Sequence, residues 1–101
     1  TFADSDVDKF MKGRGWLAVQ SSNVAGAHYS PLYRTMTIEY LNGQRVMYWN
    51  MSPQEAWSFV QAPSKGVWIW DVIRVRGKGN SEKSRKPYKI LRPAMFVEEM
   101  V

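Results

Sequence analysis

Hydrophobic and polar positions along this chain change period several times, and each change marks the border of a predicted element. Near the N-terminus, Val7, Phe10 and Met11 recur at helical spacing, and acidic residues occupy the first turn, where the helix dipole favours anions. Ser5 is the candidate N-cap of this helix. The motif "GRG" ends it, so residues 1–15 are predicted to form an N-terminal helical arm.

Strand patterns follow this arm. The stretch "WLAVQSSNVAGAHYS" is rich in β-branched and aromatic residues, which predicts one or two strands broken near Gly26. "SPLY" predicts a turn with Pro31 well placed for it. The clearest hairpin pattern comes next, because the alternating segment "MTIEY" runs into Asn42-Gly43.

Two registers are open for this hairpin. A two-residue loop would pair Ile38 with Met47, whereas a three-residue loop with Gly43 as a left-handed bulge would pair Ile38 with Val46. We favour the second, because it places β-branched Val46 beside Ile38 on the core face. It also turns Arg45 to the opposite face, and one residue of slip would reverse this assignment.

The segment "MSPQEAWSFVQAPSKG" predicts an α-helix over about residues 52–62. Ser52 and Glu55 form a capping box, and Pro53 stands at the first helical position, where its missing N–H costs nothing. Phe59 lies at the centre of the apolar stripe that this helix would bury.

Residues 66–76, "GVWIWDVIRVR", are predicted to form a strand, because apolar and β-branched residues alternate along them. One face would join the core through Val67, Ile69, Ile73 and Val75. The other face would align two tryptophans with two arginines, namely Trp68, Trp70, Arg74 and Arg76. Glycines and a proline then predict a mobile basic loop over residues 77–88, and the chain returns to the sheet from Tyr88.

These elements predict one domain, residues 1–101, of the α+β class. We expect a small curved antiparallel β-sheet that carries one packed α-helix and a short N-terminal helix. A chain of 101 residues is long enough for one hydrophobic core and not for two.

Charge changes this picture, because the net charge of +5 is concentrated in one place. The segment from Arg74 to Arg92 contains eight lysines and arginines and a single acid, Glu82. A local cationic patch favours an anionic partner, since phosphate binding releases counterions. The alternative is a solvated basic loop that serves solubility.

Catalytic and metal chemistry find little support in the residues. The chain has no cysteine and one histidine, His28, without a recognised nucleophile motif, and Lys9 occupies the position where a calcium loop starting at Asp4 needs glycine. We therefore expect no enzyme activity, no metal and no cofactor. No apolar run reaches the length of a membrane span and no signal-peptide pattern opens the chain, so we expect a cytoplasmic protein without membrane contact.

The order of strand, hairpin, capped helix and "APSKG" resembles the KTSC domain family. The resemblance covers about residues 19–76 and is carried by "SSNVAGAHY", "MTIEYLNGQRVMY", "NMSPQEAWSFVQAPSKG" and Ile73-Arg74. It implies a small α+β fold and a nucleic-acid role that is suspected for the family. This chain departs from the family pattern at Trp70, where a polar residue is usual, which enlarges the aromatic face.

Aromatic and cationic residues together predict a non-catalytic module that binds single-stranded DNA or RNA with weak sequence specificity. Tryptophans would stack on bases, and arginines and lysines would contact phosphates. The predicted nucleic-acid-binding residues are Trp49, Trp68, Trp70, Arg45, Arg74, Arg76, Lys78, Lys83, Arg85, Lys86 and Lys89.

Four alternatives stay open at this point. The tryptophan face would form a second small core if the N-terminal helix covered it, or a homodimer interface if a second copy did. A protein-interaction or assembly module, such as a small phage or mobile-element protein acting on a host protein, would use the same aromatics. A small-nucleotide-binding protein would use the same residues on a smaller ligand.

Overall fold

A computed structural model of this chain describes residues 2–76 and 82–95. The element order places a helix before the sheet, two more in its middle and the last sheet strand near the end of the chain. The elements are α1 (Asp4–Met11), β1 (Leu17–Ala18), β2 (Val24–Ser30), β3 (Thr35–Tyr40), β4 (Arg45–Tyr48), α2 (Pro53–Gln61), α3 (Lys65–Trp68), a π-helix (Ile69–Ile73), β5 (Arg74–Arg76), β6 (Glu82–Ser84) and β7 (Tyr88–Arg92).

The central element is an open five-stranded antiparallel sheet with the strand order β1-β2-β3-β4-β7. Strands β5 and β6 pair only with each other, in a separate two-stranded ribbon. The predicted α+β class with a short N-terminal helix is therefore confirmed. The sequence predicts a mobile basic loop over residues 77–88, but β6 and the first residue of β7 lie inside that range. Residues 77–81 lie outside the described residues.

The β3–β4 hairpin adopts the favoured register. Ile38 pairs with Val46 and Met36 pairs with Tyr48. Gly43 has a φ of +85°, the left-handed conformation that the predicted bulge requires. Strand β7 returns beside β4, as expected for the segment that begins at Tyr88.

Helix α2 begins with the predicted capping box. The Ser52 hydroxyl accepts a hydrogen bond from the Glu55 N–H at 3.1 Å, and the Glu55 carboxylate accepts one from the Ser52 N–H at 3.0 Å. In α1, by contrast, the predicted N-cap Ser5 is wrong. The helix begins earlier, because the Ala3 carbonyl already accepts the N–H groups of Asp6 and Val7.

The segment predicted as a strand over residues 66–76 is mostly helical, so that prediction is wrong. Val67 is 57 % exposed, whereas Trp68, Ile69 and Ile73 are buried. These buried positions follow helical spacing, which also leaves Asp71 exposed, whereas a strand would turn Asp71 to the same face as Ile69 and Ile73. Ser64 also favours the helix, because its hydroxyl caps α3 by accepting the Val67 N–H at 3.3 Å.

Lys65 joins the end of α2 to the start of α3. Its buried ammonium group donates to three carbonyl oxygens that end α2: Phe59 O at 2.8 Å, Val60 O at 3.1 Å and Ala62 O at 2.6 Å. Burial lowers the pKa of this lysine. The last turn of a helix leaves its carbonyls without helical partners, so the ammonium group satisfies them inside the protein.

Phe59 lies at the centre of the core. Its ring is fully buried, 6.2 Å from the ring of Phe10 in α1 and 5.0 Å from the ring of Trp68 in α3. Phe10 in turn lies 6.2 Å from Tyr29 of the sheet. All three helices therefore share one core with the same face of the sheet.

Replacing this ring tests the core assignment. Phe59→Ala should lower the free energy of unfolding by about 3–5 kcal/mol, because it opens a cavity among three packed elements. Trp57→Ala, on the exposed side of the same helix, should change it by less than about 0.5 kcal/mol. Urea denaturation followed by circular dichroism measures both, and equal effects would contradict this arrangement of α2.

Candidate functional site

The face of the sheet opposite the core forms a polar and aromatic surface, here called the helix-free face because the described residues place no helix over it. Its members alternate along the strands with the buried core residues, as the pleat of a sheet requires. They are Trp16, His28, Thr37, Glu39, Arg45, Met47, Lys89 and Arg92.

The centre of the helix-free face is an arginine stacked on a tryptophan. The guanidinium carbon of Arg45 lies 4.6 Å from the ring centroid of Trp16, and the His28 ring lies 5.7 Å from the same indole. Gly26 pairs with Glu39 and has no side chain that would separate Arg45 from Trp16. Trp16 nevertheless remains 45 % exposed, so part of its ring is open to a ligand.

Glu39 orients two arginines on this face. Its carboxylate accepts from Arg45 Nε at 2.6 Å and from Arg92 Nη2 at 3.0 Å. Arg92 Nε also donates to the Gly43 carbonyl at 2.9 Å, which ties β7 to the hairpin turn. One carboxylate thus holds two guanidinium groups that are more than a third exposed, so a net positive charge remains.

Trp68 is a core residue, and its predicted role as a stacking platform is wrong. It is 6 % exposed, its indole N–H donates to the Ser58 hydroxyl at 2.8 Å, and its ring meets Phe59 edge-on. The cause is the helix in place of the predicted strand, which turns Trp68 toward α2. Trp68 therefore belongs to the main core and not to a second small core under the N-terminal helix.

Trp70 and Arg74 lie together on the helix-bearing side, where the guanidinium carbon of Arg74 is 5.6 Å from the Trp70 ring centroid. Burial and the neighbouring Tyr40 raise the pKa of Tyr48, and Arg74 lies close enough to oppose that rise. The ring of Tyr88, 56 % exposed, is 6.2 Å from that of Tyr48. We call Trp70, Arg74, Tyr48 and Tyr88 the aromatic–arginine cluster.

The predicted residues therefore do not form one platform. Arg45 and Lys89 lie on the helix-free face, whereas Trp70 and Arg74 belong to the opposite side, because β5 does not join the main sheet. Trp49 is half-buried directly after β4, and its N–H donates to the Pro87 carbonyl at 2.9 Å.

The predicted lysines and arginines of the basic segment have different environments. Lys86 is an internal clamp with a side chain 16 % exposed, and its ammonium group bonds the Asn50 carbonyl at 2.7 Å and the Glu55 carboxylate at 2.8 Å. The Arg85 side chain is exposed, and the backbone N–H of Arg85 donates to the Ile73 carbonyl at 2.6 Å. Two of the predicted residues, Arg76 and Lys83, are described by their backbone alone. Lys78 lies outside the described residues.

Trp16, Glu39 and Arg92 were absent from the predicted site. A period-2 pattern in "WLAV" already turns Trp16 away from buried Leu17, so alternation indicates its face. Nothing in the local pattern, however, brings it to Arg45, because that contact crosses two intervening strands.

The described residues contain neither a cluster of metal ligands nor a membrane-spanning helix. Across residues 2–76 and 82–95, no group of three or more histidine, cysteine, aspartate or glutamate side chains is arranged to hold a metal ion. Within the same described ranges, every helix is too short or too polar to cross a membrane.

Comparison with known proteins identifies the family. The KTSC domain model matches residues 20–76, more than half of the chain, so this chain belongs to the KTSC domain family. It is similar to the crystal structure of a KTSC domain protein from Yersinia pestis, with a TM-score of 0.64 and 22 % sequence identity. The match covers 77 % of this chain and 97 % of that chain, and it shows a shared fold. No curated protein matches the sequence.

The Glu55–Lys86 pair generates a pH prediction. Burial raises the pKa of Glu55, but hydrogen bonds from Lys86 and Ser52 outweigh it and hold that pKa below the ordinary 4.5. A depressed folded-state pKa stabilises the protein above the unfolded value, and this contribution is lost as the pH falls through the folded one. Stability should therefore decline below about pH 4.5.

Glu55→Gln provides the matched test, since glutamine keeps the capping hydrogen bond but loses the charge. We expect this variant to be less stable than the wild type at neutral pH and to lose less stability on acidification. Urea titrations between about pH 3 and pH 7 measure the difference. An unchanged pH dependence would show that the pair does not contribute.

Proposed function

We propose that this KTSC domain binds single-stranded nucleic acid, RNA or DNA, through its helix-free face. The observation that carries the proposal is the Arg45 guanidinium group 4.6 Å over a Trp16 ring that remains 45 % exposed. Proteins that bind single strands combine aromatic rings, on which bases stack, with cations that contact the backbone. Sheet faces that carry exposed aromatic rings serve the same purpose in RNA-binding domains.

The chemistry divides between rings and cations. A base would stack on the open part of Trp16, beside His28, while Arg45, Arg92 and Lys89 would contact phosphates. Glu39 neutralises one of these three cations and keeps the two arginines in place without binding the ligand itself. Stacking tolerates any base because every base has a π-face, so we propose weak sequence specificity.

We propose a binding role without catalysis. The only histidine of the chain packs against Trp16, where it adds aromatic surface to the stacking site. The absence of cysteine is compatible with a reducing cytoplasm, which we propose as the location. Lys86 has no part in this proposal, because Glu55 and the Asn50 carbonyl already hold it.

Protein interaction or assembly is a second candidate function, and one feature favours it. Leu32 is 80 % exposed and Tyr33 is 74 % exposed at the tip of the β2–β3 hairpin. The tip is held in place, because the Ser30 hydroxyl accepts the Tyr33 N–H at 3.3 Å and the Arg34 carbonyl accepts the Met51 N–H at 2.9 Å. Exposed, preorganised apolar side chains are typical of interface anchors.

Trp16→Ala tests the primary proposal. Loss of a stacked base should weaken binding to an unstructured oligonucleotide by about 5- to 150-fold, equivalent to about 1–3 kcal/mol. Fluorescence anisotropy of labelled oligouridylate and oligothymidylate, at low and at physiological salt, measures the dissociation constants.

The chain offers a matched control for this substitution. Trp57 is 44 % exposed on α2, almost as much as Trp16, but lies on the opposite side of the protein. Trp57→Ala should leave binding unchanged. Equal losses from both substitutions, or no binding to either oligonucleotide at low salt, would refute the helix-free face as the binding site.

The second candidate has a separate test. If the hairpin tip mediates self-assembly, sedimentation velocity should show a concentration-dependent dimer, and the double substitution Leu32→Ser with Tyr33→Ser should abolish it. A wild-type protein that stays monomeric at high concentration would exclude assembly through this tip. Oligonucleotide binding should be unaffected by the double substitution.

A further inference from the structure

We infer that the domain discriminates single strands from duplexes because a bound strand passes around the edge of β7 and contacts both sides of the sheet. This inference rests on the proposed function and extends it from one face to two. Its two contact regions are the helix-free face and the aromatic–arginine cluster.

Strand β7 forms one edge of the main sheet. It is the last strand in the order of the main sheet, and only its β4 side pairs with another strand among the described residues. Along β7, Lys89 pairs with Met47 on the helix-free face, whereas Tyr88 pairs with Tyr48 on the helix-bearing side. Consecutive residues of one exposed edge thus present a cation to one side and an aromatic ring to the other.

The aromatic–arginine cluster lies close to this edge. The Ile73 carbonyl, directly before Arg74, accepts a hydrogen bond from the Arg85 N–H at 2.6 Å. Arg85 stands three residues before Tyr88, which begins β7. The cluster therefore lies beside the start of the edge strand, where Tyr88 is 56 % exposed.

The helix-free face and the aromatic–arginine cluster are chemically similar. Each pairs a tryptophan with an arginine, Trp16 with Arg45 and Trp70 with Arg74. Both regions therefore suit the same ligand, a chain of bases and phosphates. No single flat platform contains both, because the sheet itself lies between them.

The nucleic acid's stiffness then decides which ligand can use both regions. Double-stranded DNA has a persistence length of about 150 base pairs, so a short duplex behaves as a straight rod and reaches one region at most. A single strand is flexible enough to turn around the edge of β7. Selection against duplexes follows from the placement of the two regions and needs no recognition of base edges.

Salt dependence should reveal how many regions a ligand contacts. The helix-free face offers Arg45, Lys89 and Arg92, and because Glu39 neutralises one of these charges, about two remain, which predicts a slope of log K against log salt of about −1.4 for a single strand. Engaging Arg74 and Arg85 as well raises the count to about four and the slope to about −2.8. A longer oligonucleotide also offers more binding registers, but that statistical gain leaves the slope unchanged.

The experiment compares oligothymidylates of about 5 and about 15 nucleotides and a duplex of about 15 base pairs, each across a salt series. We expect the longer strand to show the steeper slope and the duplex to bind at least about tenfold more weakly than the strand of equal length. Trp70→Ala and Arg74→Gln should each weaken binding of the longer strand, and Arg74→Gln should also make its slope shallower by about 0.7, because one cation is removed while Arg85 remains. Neither substitution should alter binding of the short strand, and Trp57→Ala should alter neither ligand.

The outcomes separate this inference from the function on which it rests. Failure of all oligonucleotides to bind at low salt would refute the proposed function. Trp16-dependent binding with equal slopes for both lengths, or a duplex that binds as tightly as the single strand, would overturn the inference and leave the proposed function standing. Arg74→Gln leaves the Trp70 ring in place, so it remains a valid test if Trp70→Ala fails to fold.

Discussion

The contact of Phe59 with rings from two other helices organises this domain. Phe59 of α2 touches Phe10 of α1 and Trp68 of α3, and Phe10 extends the contact to Tyr29 of the sheet. Because this ring of α2 contacts both α1 and α3, all three helices pack on the same face of the sheet. The opposite face contributes nothing to this core, so it is free to carry polar and aromatic side chains suited to binding.

Helix α3 depends on the same contact. Lys65 satisfies three carbonyls at the end of α2, and its ammonium group lies 5.3 Å from the Phe59 ring, so α3 begins directly under that ring. Trp68 then follows one turn later and buries its indole against Phe59 and Ser58. Burial of a lysine is tolerated here because every proton of its ammonium group has an acceptor.

Because of this packing, the two sides of the sheet carry different kinds of side chains. On the core side, aromatic rings contribute stability through burial, and the ion pair of Lys86 with Glu55 joins the segment before β7 to the first turn of α2. On the helix-free face, Glu39 orients Arg45 and Arg92 while both remain partly exposed. The two arginines should lose little side-chain entropy on ligand binding, because the shared carboxylate already orients their guanidinium groups.

Membership in the KTSC domain family agrees with this account of the fold. The Yersinia pestis protein has a similar structure at 22 % identity, so this fold tolerates extensive sequence change. Such tolerance is expected where the requirements are a hydrophobic period, a cap and a turn, since many side chains meet each of them.

Local rules were enough to predict the hairpin register and the start of α2. In each case the determining groups are neighbours in the chain or carry a strict period: Gly43 with its positive φ, and Ser52 with Glu55. The α+β class follows from the same local patterns. These features are encoded where backbone hydrogen bonds are satisfied within a few residues.

Tertiary structure alone decided which tryptophans belong to the core and which to a surface. The segment from Val67 to Ile73 has a single polar residue, Asp71, so its period by itself does not distinguish a strand from a helix. Packing against Phe59 and the acceptors of Lys65 settle that choice. The pair of Trp16 and Arg45 was equally beyond local reasoning, because it joins residues far apart in sequence across two intervening strands. Composition specifies that arginine and tryptophan are present, and only the folded sheet brings them into contact.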